Sequence, residues 1–386
     1  MDLRKFVHHS DRRESLAKEL TLSLSDIGSV CIDNSEQIHC ENLIGCVTVP
    51  LGVAGPLILK DSYKKNIFIP LATTEGALVA SVNRGCKIIG ENNGVCVEIE
   101  NLGATRGPVF QTSGIREGKK ISVWIQQHFL MLQQEAASTS SYLSLLNIDT
   151  QINGTELYLR LSFDTSEAMG MNMVTIATDK LVHLLEKECN ISCIAVAGNF
   201  DIDKKPAWLN SIKGRGKCGW AELIATRESV ERILKTTPEK IVEVVRSKCW
   251  AGSMLSGAVG FNAHFANMLL AFYLATGQDA ANIVEGSQGM VHAELTDQND
   301  LYFSVTLPNI IVGTIGNGKH HDFVKDNLNK LGCLIDSKPG SNAKRLARLV
   351  AATVWCGEIS LLAAQTNPGE LMRSHFAMER GDSIHV

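Results

Sequence analysis

The chain has 386 residues, 45% apolar and 20% charged, a composition that folds but is too long for one simple core, so two or three domains are expected. A net charge of −4 with acids and bases interspersed lacks the basic stripe that attracts phosphate backbones, and no nucleic acid is expected as a partner. The opening MDLRKFVHHSDRRESLAKEL has no apolar signal-peptide core, and the longest apolar run, residues 268–275, falls far short of the ~20 residues that cross a bilayer, so neither export nor membrane partner is expected.

Residues 1–40 read as an N-terminal helical segment. In Pro70-Leu-Ala-Thr-Thr-Glu75-Gly, Thr73 or Thr74 can cap the helix that follows, which places Glu75 in its first turn, where a carboxylate complements the dipole. An acid working at neutral pH would need burial or a polar network to override that dipole. Residues 109–111 read as a short strand and 115–137 as one helix. Residues 148–152 and 156–163 alternate like strands and are joined by Asn153-Gly154, a strong hairpin signal. Residues 172–189 carry Val174, Ala177, Leu181, Leu184 and Leu185 at helical spacing, and 191–197 form a last apolar strand. That is the β-α-β-β-α-β order of a ferredoxin-like unit. Ahead of its second helix, Glu167-Ala-Met-Gly-Met-Asn-Met173 offers N–H groups that can hold a phosphate, with Gly170 permitting close approach; methionines at this spacing also fill cores.

GNFDIDKKPAW, residues 198–208, sets Asp201, Asp203, Lys204 and Lys205 in one loop. Four charges in a loop are most often a solvated turn. The apolar flanks instead allow a desolvated lysine, whose charge would act strongly on a carboxylate or a developing oxyanion. Gly214-Arg-Gly216-Lys-Cys-Gly219 fits G-x-G-x-x-G, yet it leads into the strand-like WAELIA and reads as turn glycines. Thr237-Pro238-Glu239 starts a helix, and residues 262–276 and 343–365 carry long apolar stripes. Residues 41–107 are too short for a core of their own, so they are expected to pack with 198–386 as a helix-rich large domain, with 108–197 inserted as a small one. The class is α+β. His375 in LMRSHF is either a surface residue or, folded over a site, a proton donor. Eleven cysteines without a CxxC pair suggest reduced thiols in the cytoplasm, and neither Cys189/Cys193 nor His320/His321 has zinc-ligand company, so no metal is expected.

ENLIGCVTVPLGVAGPL, LATTEGALVASVNRGCK, GATRGP, EAMGMNM, GNFDIDKKPAW, NAHFANM, GQDAANIVEGSQ, PGSNAKRLARLV and LMRSHF together resemble the soluble catalytic portion of the 3-hydroxy-3-methylglutaryl-coenzyme A reductase family in its class I form. The resemblance runs from Glu41 to Arg380. It implies a four-electron reduction of the acyl-coenzyme A to mevalonate and coenzyme A with NADPH, or NADH, in isoprenoid biosynthesis. Carried over by motif, Lys204 would stabilise the oxyanion, His375 would protonate the leaving thiolate, and Glu75, raised by contact with Asp279, would deliver a proton to the second oxygen. Arg106, Asp203, Lys205, Asn267 and Gln278 would hold the acyl group, and Asn83, Arg84 and His264 the coenzyme A. Glu167, Met169, Gly170, Met171, Asn172, Ile315, Gly316 and Arg380 would meet the nicotinamide cofactor. The family forms its sites between subunits, which implies a homodimer or higher oligomer with the ENLIG segment coming from the neighbour.

The chain departs from the pattern at Cys46, where class I has tyrosine, at Ala197, where it has serine, and at Glu167, where it has aspartate. Ser141 stands where an arginine contacts the cofactor, so one fewer cation would face a 2′-phosphate. The glycine-rich segment becomes Gly313-Thr-Ile-Gly-Asn317-Gly-Lys319, and the phosphorylatable serine becomes Gly381. Two alternatives follow from these changes: an acyl-coenzyme A reductase with another acyl group, or a coenzyme A-binding regulator without catalysis.

Overall fold

The computed structural model describes residues 5–6, 8–20, 40–60, 66–367, 369 and 372; His375 and Arg380 lie outside them. A polar helix, α1 (His9–Leu20), comes first. β1 (Leu51–Leu57) and β2 (Ile67–Ala72) pair antiparallel; Ile67 and Ile69 are buried at a period of two, an irregularity between Ala54 and Leu57 lets both of those point inward, and Leu51, Val53 and Phe68 face outward. α2 (Leu78–Glu91) turns Leu78, Val82, Cys86 and Ile89 into the core at helical spacing.

β3 (Cys96–Arg106) pairs with β8 (Gly216–Ala225) over most of its length and with β6 (Glu156–Asp164) through its last three residues. β4 (Val109–Gln111) then continues along the same edge of β6. The single helix expected over 115–137 is two, α3 (Ile115–Gln127) and α4 (Phe129–Ala137), interrupted at His128. The His128 ring stacks on Trp124 with centroids 4.3 Å apart and contacts the Trp124 carbonyl at 2.8 Å, which fixes the break. β5 (Ser144–Asn153) and β6 (Glu156–Asp164) form the hairpin that Asn153-Gly154 signals, with Gly154 at φ 58°. α5 (Met171–Cys189) and a short β7 (Ser192–Ala195) close the unit; the strand ends two residues earlier than expected. Its strands lie in the order β7-β4-β6-β5, every neighbour antiparallel. Phe110, Leu157, Leu161, Phe163, Val174 and Leu181 lie in a core of its own.

The second, larger core draws on both flanks of that unit, from Ala54 to Ile99 and from Ala221 to Ala363. After α6 (Trp208–Lys213) and β8 (Gly216–Ala225), α7 (Arg227–Ser229) runs into a π-helical turn. Thr237 caps α8 (Pro238–Val244), whose first residue is the proline. A second π-helical stretch leads to α9 (Ser253–Ser256), then α10 (Phe265–Ala275), α11 (Ile283–Gly286), β9 (Met290–Leu295), β10 (Leu301–Ile310) and α12 (Asp322–Lys330). The sheet extends as β6-β3-β8-β10-β9, so one eight-stranded sheet crosses both cores. α13 (Ser341–Gln365) is, among the described residues, the one helix long and apolar enough to span a bilayer, and 89% of that apolar window is buried inside the fold. An all-round apolar helix of this kind is a core helix. α2 crosses it closely: a Cβ on Gly85 would stand 2.3 Å from the Cys356 carbonyl oxygen.

Candidate active site

The loop between β7 and α6 is solvated on one side only: Lys204 and Lys205 are exposed, not desolvated, and Asp203 is half-buried. Asp201 is 2% exposed; its carbonyl accepts from the Thr105 hydroxyl at 2.8 Å and its carboxylate pairs with Arg106 at 3.5 Å. Burial pushes the Asp201 carboxyl up, with Arg106 pulling against it. Asn199, Ile202 and Lys204 take φ of 63°, 50° and 56°, a left-handed region that a β-branched residue rarely enters. Such strain costs about 1–3 kcal/mol per residue and persists where neighbours over-determine the backbone. Here Asn210 Nδ2 donates to the Ile202 carbonyl at 2.9 Å and the Gly198 N–H to the Gly107 carbonyl at 2.6 Å.

The strained backbone aims Lys204 at Asp279, with Nζ 2.6 Å from Oδ2. That hydrogen bond is the main reason the Lys204 pKa lies above its ordinary value. The other Asp279 oxygen accepts from the Ala281 N–H at 3.0 Å, a cap on the turn that follows. Beneath the pair, Arg215 is wholly buried between Gly214 and Gly216, both at positive φ. Its guanidinium reaches Asp203 at 3.0 Å, Glu285 at 2.8 Å and the Thr105 hydroxyl at 2.8 Å. Burial raises the Glu285 carboxyl, and Arg215 is the strongest influence against that rise. A buried cation matched to carboxylates in this way holds the loop from below. The sequence reading passes over Arg215; its only signal is the two glycines that flank it. Lys205 stays exposed, with Nζ 3.0 Å from the Asp203 carbonyl. Gln278 accepts from the Gly313 N–H at 3.0 Å.

Glu75 belongs to a different cluster. α2 begins at Leu78 with Ala77 at its cap, so Glu75 stands ahead of the helix and not in its first turn. Thr73 Oγ1 accepts the Glu75 N–H at 2.9 Å, a local turn that competes with helix capping. Asn267 Nδ2 donates to Glu75 Oε2 at 2.7 Å. Asn267 lies in the first turn of α10 and Asp279 beyond its last. Eleven helical residues rise about 16 Å, so Glu75 and Asp279 of one chain stand at opposite ends of α10, without the contact expected of them.

Nearby, His264 donates its backbone N–H to Glu358 Oε2 at 3.1 Å, and its Nε2 lies 2.9 Å from the Gly357 carbonyl. Burial lowers the His264 pKa and pushes Glu358 up to about 7. Arg84 grips Ser360 through Nε and Nη2 at 2.9 and 2.6 Å, and Asn83 Oδ1 accepts from the Gly55 N–H at 3.1 Å. Lys248, exposed on the same side, exerts its charge on His264 and Glu358; no motif in the sequence reading marks it.

The third group gathers where the smaller core meets α13. The Thr314 N–H donates to the Glu167 carbonyl at 2.8 Å, and Ala168 and Ile315 bridge in parallel. Gly170 caps α5 at φ 88°, and a Cβ there would meet Thr165 at 2.3 Å. Only glycine lets the chain turn into Met171 and Asn172 at that point. Met171 also faces inward, its Sδ 3.0 Å from Arg215. The Glu167 carboxylate accepts from the Asn342 and Ala343 N–H groups at 3.0 and 2.7 Å and from the Thr314 hydroxyl at 2.9 Å, which caps α13. A cavity of about 350 Å³ opens against this segment, with Tyr142, Ser166, Met173, Ile315 and Asp336 among its walls.

Two hydrophobic cores on one sheet, with a lysine–aspartate pair on a strained loop and a separate cavity lined by residues 165–168, fit an enzyme. The chain belongs to the hydroxymethylglutaryl-coenzyme A reductase family, whose profile matches residues 8–380. It is 45% identical over 359 residues to the 3-hydroxy-3-methylglutaryl-coenzyme A reductase of Pyrococcus abyssi, covering 92% of this chain and 88% of that one. It is 43% identical over 378 residues to the enzyme of the same description from Methanocaldococcus jannaschii, covering 96% and 92%. In fold it is similar to the class II reductase from Streptococcus pneumoniae bound to NADPH in open conformations. That likeness has a TM-score of 0.72 at 18% identity and covers 95% of this chain and 99% of that one.

Proposed function

We propose that the chain reduces 3-hydroxy-3-methylglutaryl-coenzyme A to mevalonate and coenzyme A with two equivalents of a reduced nicotinamide cofactor. The observation that carries this reading is the Lys204–Asp279 pair, 2.6 Å apart on a strained and buried framework. A bound cofactor supplies hydride to the thioester carbonyl and then to the aldehyde. Lys204 places its ammonium on the oxygen that becomes negative, and Asp279 keeps that ammonium charged and aimed. Lys205 and Arg106 meet the distal carboxylate, Asp203 and Gln278 the polar acyl groups. Asn83, Arg84 and His264 face the coenzyme A, and His375 protonates the departing thiolate. Glu75, oriented by Asn267, passes a proton to the second oxygen.

The length of α10 supports a site completed by two chains, Lys204 and Asp279 from one and Glu75 and Asn267 from its partner, in a homodimer or a larger assembly. The strand order β7-β4-β6-β5 supports reading residues 108–197 as a ferredoxin-like cofactor unit inserted into the larger domain. Glycine at 170, the start of α5 and the cleft beside it fit the dinucleotide, and the reaction belongs to the cytoplasm.

A spectrophotometric assay with thiol titration tests the reading. Two cofactor molecules are expected to be oxidised per coenzyme A released. A ratio of one would mean a reductase that stops at the aldehyde, and no oxidation would remove the reading.

A further inference from the structure

The cavity beside residues 165–168 has twelve lining residues, and its charged side chains are Glu167 and Asp336, both acidic; none of the twelve is lysine or arginine. Glu167 is already committed to the first turn of α13. Asp336 is exposed, and its backbone is clamped from both sides by Asn342, whose Oδ1 accepts the Asp336 N–H at 3.1 Å and whose Nδ2 donates to the Asp336 carbonyl at 2.8 Å. One carboxylate oxygen, Oδ1, accepts from the Lys338 N–H at 2.9 Å, and a carboxylate has a second oxygen able to accept from a ribose hydroxyl. The remaining polar walls, Ser140, Tyr142, Thr165, Ser166, Ser337 and Asn342, are neutral.

Among the described residues, the nearby cations Lys217 and Lys338 stand outside the lining. Lys217, 7% exposed on β8, shares its charge with Asp164 and Glu167. Lys338 is exposed and outside the lining. Dinucleotide sites that take NAD set an acidic side chain on the ribose 2′-hydroxyl, whereas those that take NADP set an arginine near the 2′-phosphate. That phosphate adds about −1.5 to −2 of charge at neutral pH. Against two carboxylates, with no cation among the described lining residues, it would be repelled, while a hydroxyl would find an acceptor.

We infer that this cleft selects the dephosphorylated cofactor, NADH over NADPH, and that Asp336 is the residue that sets the choice. The inference rests on the proposed location of the cofactor and runs against the NADPH that the family resemblance implies.

The test is binding of NADH and of NADPH, followed by nicotinamide fluorescence, together with kcat/KM for each, in the full chain and in Asp336→Asn and Asp336→Arg. NADH is expected to bind and to turn over about tenfold better or more, the size of one screened charge interaction. Asp336→Arg should move the NADPH to NADH ratio by about tenfold or more toward NADPH, chiefly in KM, and the near-isosteric Asp336→Asn should move it part of the way. Tighter or equal binding of NADPH by the unaltered chain, or a ratio that neither variant moves, would overturn the inference. If NADH binds more tightly but neither cofactor is oxidised, the reductase reading fails and the selectivity stands. If neither cofactor binds, both fall.

Discussion

Lys204 and Lys319 are ammonium groups a short way from the same carboxylate, yet their surroundings set them in opposite directions. Lys204 is held charged by Asp279, and its replacement by alanine should lower kcat by at least about 10²- to 10³-fold, the usual loss when an oxyanion partner goes. Circular dichroism and melting should hardly change, because the loop is anchored by Asp201 and Arg215 and not by Lys204. Near-normal turnover would refute its role. Lys319 is 8% exposed, its ammonium donates to the Gly277 carbonyl, and burial pushes it down from 10.5 to about 8. Between those two values the unfolded chain holds a proton that the folded chain has released, so this group makes stability rise with pH across pH 8 to 10.5, by about 3 kcal/mol in all. Below pH 8 both states are protonated and the folded state bears the buried charge. Lys319→Met should therefore melt higher than the parent chain at pH 7, and its advantage should shrink toward pH 10. An advantage that does not vary with pH would refute the buried ammonium.

Two glycines of α2 make opposite forecasts for one helix. At Gly85 an added methyl would collide with the Cys356 backbone at 2.3–2.4 Å, whereas at Gly90 the nearest foreign atom is 3.9 Å away. Gly85→Ala should force α2 off α13 and cost about 1–3 kcal/mol or more. Gly90→Ala should gain up to about 1 kcal/mol from helix propensity alone. Chemical denaturation of the two variants settles it; a tolerated Gly85→Ala would mean that the helices do not cross this closely. Elements that announce themselves locally were legible in the sequence: the Asn153-Gly154 hairpin, the Thr237-Pro238 start of α8 and the apolar stripe of α5. The break at His128 was not, because it depends on a ring stacked on Trp124 and leaves helical periodicity intact on both sides. At the site, the residues of the 198–208 loop could be picked out, but not that Asp201 would be buried. Burial there comes from Thr105, Arg106 and Arg215, which are about 100 residues away or just beyond the loop, and only the folded sheet brings them together.

At the scale of the whole molecule, the proposed division of labour across α10 has a direct test in mixed assemblies. Lys204→Ala and Glu75→Gln chains should each be inactive alone. Refolded together, they should recover about a quarter of the parent activity, because half of randomly paired dimers are mixed and each mixed dimer holds one intact site. No recovery would place Lys204 and Glu75 in the same chain's site. β3 bears on the same scale in another way. Its residues 96–103 are bonded to β8 and 104–106 to β6, so a continuous main-chain ladder passes from one core into the other. Each rung that a hinge would have to break is a backbone hydrogen bond worth about 0.5–1.5 kcal/mol. The two halves can twist along the sheet but cannot fold apart at that seam, and any change of shape during turnover falls to segments outside the ladder.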